Sequence, residues 1–323
     1  MTRFVFVRLG ETAVVLTIMS FLVYALIGLM PGDPIDIMIS SDPHLTAADA
    51  ERLRALYGLD RPIVERYRDW LEAALRGDLG YSRVHARPVL EILLPRLANT
   101  GVLMGLSFVL SVVIALPLGI YAAMRPYSRA DYAVNLLCFA GISIPVFWLA
   151  LMLIILFSVM LGWLPAGGMG TIGAESLGDK ARFMALPVLT LTLASIGGYT
   201  RYMRAAMMET LRQDFIRTAR AKGLSRARVV LKHALRNALI PVVTILALSF
   251  GTLFSGALIT ETMFAYPGMG RLIYDAIMGN DFNLALIGLL LATLVTLLAN
   301  LAADVSYAWL DPRISYRRAG AVP

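Results

Sequence analysis

The sequence predicts an all-α integral membrane protein with six transmembrane helices, both termini cytoplasmic, and a large external loop between the first two spans. Three observations predict it. Of 323 residues, 58% are hydrophobic and 16% charged, with a mean hydropathy of +0.71, which is far from the usage of soluble domains. The apolar residues gather into charge-free runs about as long as a helix needs to cross roughly 30 Å of hydrocarbon. The formal net charge of +7 is concentrated in loops abutting those runs, as the positive-inside rule requires of cytoplasmic loops, and this placement sets nucleic-acid binding aside.

Arg3 and Arg8 precede the charge-free run Thr12 to Met30. A basic start and an apolar core also describe a secretory signal, but signal cores are shorter and end at small-residue cleavage sites, which Leu29-Met30-Pro31-Gly32-Asp33 does not offer. A retained first span with its amino end inside is expected. Pro31 to Arg96 is the longest polar stretch and mixes nine basic with eleven acidic residues, a near balance that an external loop can carry. Within it, Pro31-Gly32-Asp33-Pro34 marks a turn out of the membrane. Thr46, as N-cap, with Asp49 three positions on, opens one helix; a second is expected from Pro62 to Leu75, with Trp70 and Leu71 over whatever it covers.

Leu97 to Met124 is free of charge and longer than a perpendicular crossing requires, with Pro117 as a place to bend. Arg125 to Asp131 is a short inside loop. Tyr132 to Leu161 is the third span, ended by Trp163, Pro165 and a glycine-rich external loop reaching Arg182. Ser143-Ile144-Pro145 interrupts its hydrogen-bond ladder, either as a packing kink or as a break lining a pathway. Phe183 to Thr200 is the fourth span. Its Thr190, Thr192, Ser195, Gly197 and Gly198 suit close helix contacts, and the hydroxyls could also face a passage.

Arg201 to Pro241 carries ten Lys and Arg against Glu209 and Asp214, so it stays in the cytoplasm. Helix formers run from Arg201 to Phe215 with Met203, Met207 and Leu211 on one side. Gly223 permits a turn, after which Ala227, Leu231 and Leu235 form a second apolar stripe beside the basic stripe Arg228, Lys232 and Arg236. Two short helices meeting at a glycine look like a surface that a partner grips. The fifth span runs from Asn237 to Thr260, with Ser249, Gly251, Thr252, Ser255 and Gly256 as ambiguous as the small residues of the fourth. A short helix to Met278 follows Pro267-Gly268-Met269-Gly270-Arg271-Leu272, and Phe282 to Ala303 is the sixth span. Inside regions then hold seventeen basic residues against twelve outside.

The chain has three lysines, Lys180, Lys222 and Lys232, and none ends a GxxxxGK[ST] phosphate loop, so ATP is not bound that way. Ion-coupled carriers bury ionisable groups at mid-membrane; here Glu11, Asp131 and Asp304 all lie at span edges. His44, His85 and His233 are scattered, and the single Cys138 lies in an apolar run, so no metal, disulfide or nucleophile arrangement is offered. A passive pathway with a basic handle remains. Its alternative is a self-contained secondary carrier or channel.

Arg217-Thr218-Ala219-Arg220-Ala221-Lys222-Gly223-Leu224, followed by His233-Ala234-Leu235-Arg236-Asn237-Ala238-Leu239-Ile240-Pro241, resembles the cytoplasmic coupling loop of ABC importer permeases of the dipeptide/oligopeptide/nickel family. That family's loop begins Glu-Ala-Ala, with glycine four positions after the second alanine. Ala219 and Gly223 keep that spacing, whereas Arg217, Thr218 and the later His233-Ala234-Leu235-Arg236 depart from the wider pattern in a way typical of the peptide branch. Pro31-Gly32-Asp33-Pro34, Gly77-Asp78-Leu79-Gly80, Pro267-Gly268-Met269-Gly270-Arg271-Leu272 and Asp311-Pro312-Arg313 occur in the family's order.

The resemblance implies a multi-pass inner (plasma) membrane permease, the first, B-type subunit of a heterodimeric pair, forming half of a pathway for peptides or a related solute. It implies two cytoplasmic ATPase subunits and an extracytoplasmic substrate-binding protein as partners, no cofactor, and no hydrolysis by this chain. By that likeness Arg217, Thr218, Ala219, Ala221, Gly223 and Leu224 couple to the ATPase. Ser143, Pro145, Thr192, Ser195, Ser249 and Thr252 are candidates for the passage wall. The expected division is 1–30 for the first span, 31–96 outside, 97–308 for the core with its coupling loop at 201–238, and 309–323 for a cytoplasmic tail. The external segment is either a cap over the outer mouth or a docking surface for the delivery protein, readings that do not exclude each other.

Overall fold

Apolar runs that cannot hydrogen-bond to lipid must satisfy their own backbone, and the only structures formed over the described residues are helices, with one isolated bridge at Tyr81 and Pro88. The computed structural model describes residues 2–28, 52, 60–173, 176–252 and 257–310. The helices are α1 (Thr2–Gly28), α2 (Ile63–Leu75), α3 (Val89–Met124), α4 (Arg129–Ser143), α5 (Val146–Leu153), α6 (Leu177–Thr210), α7 (Asp214–Ala221), α8 (Arg226–Arg228), α9 (Leu235–Thr252), α10 (Leu258–Met263), α11 (Met269–Met278) and α12 (Phe282–Leu310). A π-helical segment, Ile154–Met160, continues α5, and another, Val229–Ala234, joins α8 to α9. The Pro31-Gly32-Asp33-Pro34 exit, the Thr46 cap and Asp311-Pro312-Arg313 lie outside the described residues.

Among the described residues five helices are long and apolar enough to cross a membrane: Phe6–Gly28, Val89–Met124, Leu177–Thr210, Arg226–Ser249 and Phe282–Asp304. Counted as one broken span, the pair Arg129–Ser143 and Val146–Met160 makes six. The interruption falls where Ser143-Ile144-Pro145 is expected to break the Tyr132 to Leu161 span, but the two halves meet at 103°, a far sharper bend than a packing kink. The cause is local. Pro145 has no N–H to donate, and Ile144 before it takes the extended conformation (φ −80°, ψ 123°) that the proline ring imposes.

Other boundaries also move. The first helix begins ten residues before the expected Thr12, and α3 begins at Val89 rather than Leu97, because charges such as Glu91 and Arg96 are tolerated in a helix end beyond the hydrocarbon. The fourth span does not stop at Thr200. It runs from Leu177 through Thr210, so the separate amphipathic helix expected from Arg201 to Phe215 is its continuation. The fifth is described as helix to Thr252, α10 from Leu258 is a separate helix within the expected span to Thr260, and the sixth extends past Ala303 to Leu310.

The chain divides into two compact units, Met1–Asn99 with Gly268–Val295 and Thr100–Pro267 with Thr296–Pro323. In the first, α2 lies along α1: Tyr67 shares a hydrogen bond of 2.7 Å with Ser20 and sets its ring edge-on to Phe21 at 5.2 Å. Trp70 packs beside Tyr24 at 5.7 Å, as expected of a residue covering an apolar surface. Beneath them Val23, Ile27, Val89, Leu93, Leu272, Ile273 and Leu284 form the core. The turn after Gly77 is fastened by Asp281, a buried residue whose carboxylate accepts from Ser82 Oγ, from Arg83 N at 3.2 Å and from Val84 N at 3.1 Å.

In the second unit, small residues decide how closely helices approach. A Cβ on Gly119 would stand 2.8 Å from the Thr200 carbonyl, bringing α3 against α6; one on Gly197 would stand 2.5 Å from the Cys138 carbonyl, bringing α6 against α4. With lipid as apolar as the side chains, such close packing supplies much of the association energy. Gly197→Leu is therefore expected to cost about 1–3 kcal/mol, the usual range for overpacking. A lower temperature of aggregation for the detergent-solubilised chain would register it.

Candidate functional site

The basic segment after α6 folds as a compact module made from short-range signals. Leu211, Arg212 and Gln213 turn the chain through hydrogen bonds to Met207, Glu209 and Thr210 carbonyls, at 2.9, 3.2 and 3.1 Å. Asp214 then places an acid in the first turn of α7, where the helix dipole favours it. At the other end Leu224 N donates to the Ala219 carbonyl at 3.3 Å and Gly223 N to the Arg220 carbonyl at 2.9 Å, the paired bonds of a Schellman cap. Gly223 takes φ +75°, which side chains disfavour, so the glycine read from the sequence as a turn is required by the backbone.

This module is held by a core of its own. Met203 and Met207 from α6, Ile216 and Ala219 from α7, and Val229, Val230, Ala234, Ala238 and Val242 are all buried together with Ala123 of α3. Arg226 Nη2 adds a hydrogen bond of 3.2 Å to the Met124 carbonyl. The Met203, Met207, Leu211 stripe is the inward face expected. The Ala227, Leu231, Leu235 stripe is not: Ala227 and Leu231 are exposed and Leu235 is half-buried. The π-helical turn Val229–Ala234 takes more residues per turn than an α-helix, which rotates Val229, Val230 and Ala234 inward and leaves Leu231 62% exposed.

Of the sequence-predicted coupling residues, Arg217, Thr218, Ala221 and Gly223 are exposed, while Ala219 is buried and Leu224 half-buried beneath them. Exposed Phe215, Arg220 and Lys222 lie on the same short helix or its cap. The surface is thus cationic with apolar interruptions and carries no group set for covalent or acid–base chemistry. Among the described residues no group of three His, Cys, Asp or Glu is placed to hold a metal ion.

The passage candidates lie on several elements. Ser143 and Pro145 are exposed at the break between α4 and α5. Thr192 is buried, its hydroxyl 3.4 Å from the Ser107 carbonyl while Ser111 Oγ reaches the Thr192 carbonyl at 3.4 Å, so it serves the contact of α6 with α3. Ser195 is half-buried on α6 and Ser249 half-buried on α9. The Thr252 side chain lies outside the described residues.

Sequence reasoning missed the polar contacts that join distant segments. Asp131, dismissed above as a span-edge acid, is buried and accepts from Arg204 Nε at 2.6 Å and Nη2 at 2.7 Å. Thr100 Oγ1 donates to buried Glu261 at 2.6 Å. Neither pair is local in sequence, and only a charge count within apolar surroundings hints that such residues need partners.

Residues 115–316 match the family described as "Binding-protein-dependent transport system inner membrane component", and residues 1–104 match the description of its N-terminal part. Similar proteins include the oligopeptide transport system permease protein AppB of Bacillus subtilis, 40% identical over 93% of this chain and 94% of its own. The di/tripeptide transport system permease protein DppB of Pseudomonas aeruginosa is 37% identical over 98% of this chain and all of its own. The glutathione transport system permease protein GsiC of Escherichia coli K12 is 38% identical over 98% and 100%.

Proposed function

We propose that this chain, which belongs to the family of binding-protein-dependent transport system inner membrane components and is a permease subunit of an ABC importer, carries peptides through a passage driven by ATPases docked on α7. The observation that supports the docking is the exposed surface of Arg217, Thr218 and Ala221 standing on a buried frame of Ile216 and Ala219. A rigid frame transmits a push; a floppy loop absorbs it.

In this reading residues 201–238 lie in the cytoplasm with both termini, residues 31–96 lie outside toward the substrate-binding protein, and 97–308 form the core. A second, homologous permease completes the passage, with Ser143, Pro145, Ser195, Ser249 and Thr252 as candidates for its wall. Binding of ATP draws two docked motors together, α7 follows, and the spans turn from inward-open to outward-open. The delivery protein releases its cargo, and hydrolysis resets the spans. The names of the relatives, covering oligopeptides, di- and tripeptides and glutathione, support a peptide-like cargo.

Reconstitution tests this. The chain purified with its neighbours is expected to bring down ATPase subunits, and liposomes holding the whole assembly to take up a labelled tripeptide or glutathione only with ATP inside the motor compartment. Uptake driven by an imposed ion gradient without ATP would instead make the chain a self-contained carrier.

A further inference from the structure

The stroke received by α7 has to reach the spans by a stiff route, and one buried ion pair stands on that route. α6 runs unbroken into the three-residue turn before α7, so a displacement of α7 moves the end of α6 first. Arg204, less than two turns from that end, grips Asp131 with two parallel hydrogen bonds of 2.6 and 2.7 Å. The same carboxylate accepts from Tyr127 N at 2.8 Å and from Asn135 Nδ2 at 2.8 Å, and Ser128 caps the helix by accepting from Asp131 N at 3.2 Å. Four donors thus fix a carboxylate at the start of α4, and its geometry leaves little play.

Further along the same crossing the two helices touch backbone to backbone. Gly197 sits against the Cys138 carbonyl, and a Cβ on Gly141 would be 3.1 Å from the Leu193 carbonyl. Pinned at Asp131, Cys138 and Gly141, α4 moves with α6 as one body. The next residues are Ile144 and Pro145, where the chain bends by 103°. Beyond the bend α5 meets α6 through apolar side chains, Ala150 and Leu153 near Leu186, with no hydrogen bond or ion pair between the two helices among the described residues.

We propose that Asp131 and Arg204 are a positioning pair that carries the displacement of α7 into α4, delivering the motor's stroke to the break at Pro145. The proposal rests on α7 being the docking site. Breaking the pair should leave the motor running and the break still. It is tested in the complete importer with Cys138→Ala and spin labels at Leu136→Cys on α4 and Val159→Cys beyond α5. ATP with vanadate is expected to shift the distance between the labels. Asp131→Asn and Arg204→Lys, the latter keeping the charge but losing the two-pronged grip, are expected to abolish that shift while nucleotide is still trapped by the ATPases.

A full shift in both variants would overturn the proposal, as would loss of the shift only in proportion to lost nucleotide trapping, which is what a purely structural pair would give. Should Asp131→Asn not assemble, Arg204→Lys is the variant read. Failure of the docking reading looks different: ATPases would still copurify with a chain carrying Thr218→Trp, and the pair would then have no stroke to carry.

Discussion

Gly223→Trp is expected to abolish uptake while leaving the chain inserted in the membrane. The residue sits at φ +75° as the last element of the α7 cap, where a side chain costs about 1–2 kcal/mol in backbone strain. Beyond its chain neighbours nothing among the described residues lies within 4 Å of the position a Cβ would take, so a side chain there starts into open space. Gly223, Thr218 and Ala221 are all exposed, so on the docking reading a partner would have to accommodate the indole. The effect is therefore expected at the partner, with uptake lost and the amount of chain in the membrane fraction unchanged. Gly223→Asn, which tolerates the left-handed conformation, is expected to keep most uptake, and Gly223→Ala to fall between them.

Asp281→Ala is expected to be the most destabilising single change in the first unit. The carboxylate fastens Ser82 Oγ and the Arg83 and Val84 amides, and Leu284 N lies 3.4 Å away at the start of α12, where Asp281 acts as N-cap. Losing the cap costs about 1 kcal/mol. Leaving the buried Ser82 hydroxyl without this acceptor adds about 1–3 kcal/mol, so the total is about 2–4 kcal/mol. Asp281→Asn keeps one acceptor oxygen of the two and should lose about half as much. Heating the purified chain in detergent and measuring what stays monodisperse reads the order: parent, then Asn, then Ala.

The sequence made the spans legible because lipid permits so few solutions: a charge-free run of sufficient length is a helix. Helix ends were less legible, since nothing in Arg201 to Glu209 says that α6 continues past the hydrocarbon rather than restarting. The break at Pro145 was visible, but its 103° bend was not, because proline is compatible with a mild kink as readily as with a turn. In the candidate site, Gly223 and the Met203, Met207 face followed from local rules. The Ala227, Leu231, Leu235 stripe failed because a π-helical turn changes the period on which the reading depends. Asp131 with Arg204, and Asp281 with Ser82, join residues 73 and 199 positions apart, and no periodicity encodes such pairs.

The most direct measurement places a thiol on the exposed face of α7, Thr218→Cys, in a chain whose own buried Cys138 is replaced by alanine. In inverted membrane vesicles holding the whole importer, a short bifunctional thiol reagent is expected to link that cysteine to an ATPase subunit and to no protein outside the cell. Labelling of the same cysteine by a membrane-impermeant maleimide from the outer face of intact inner membrane would contradict the account.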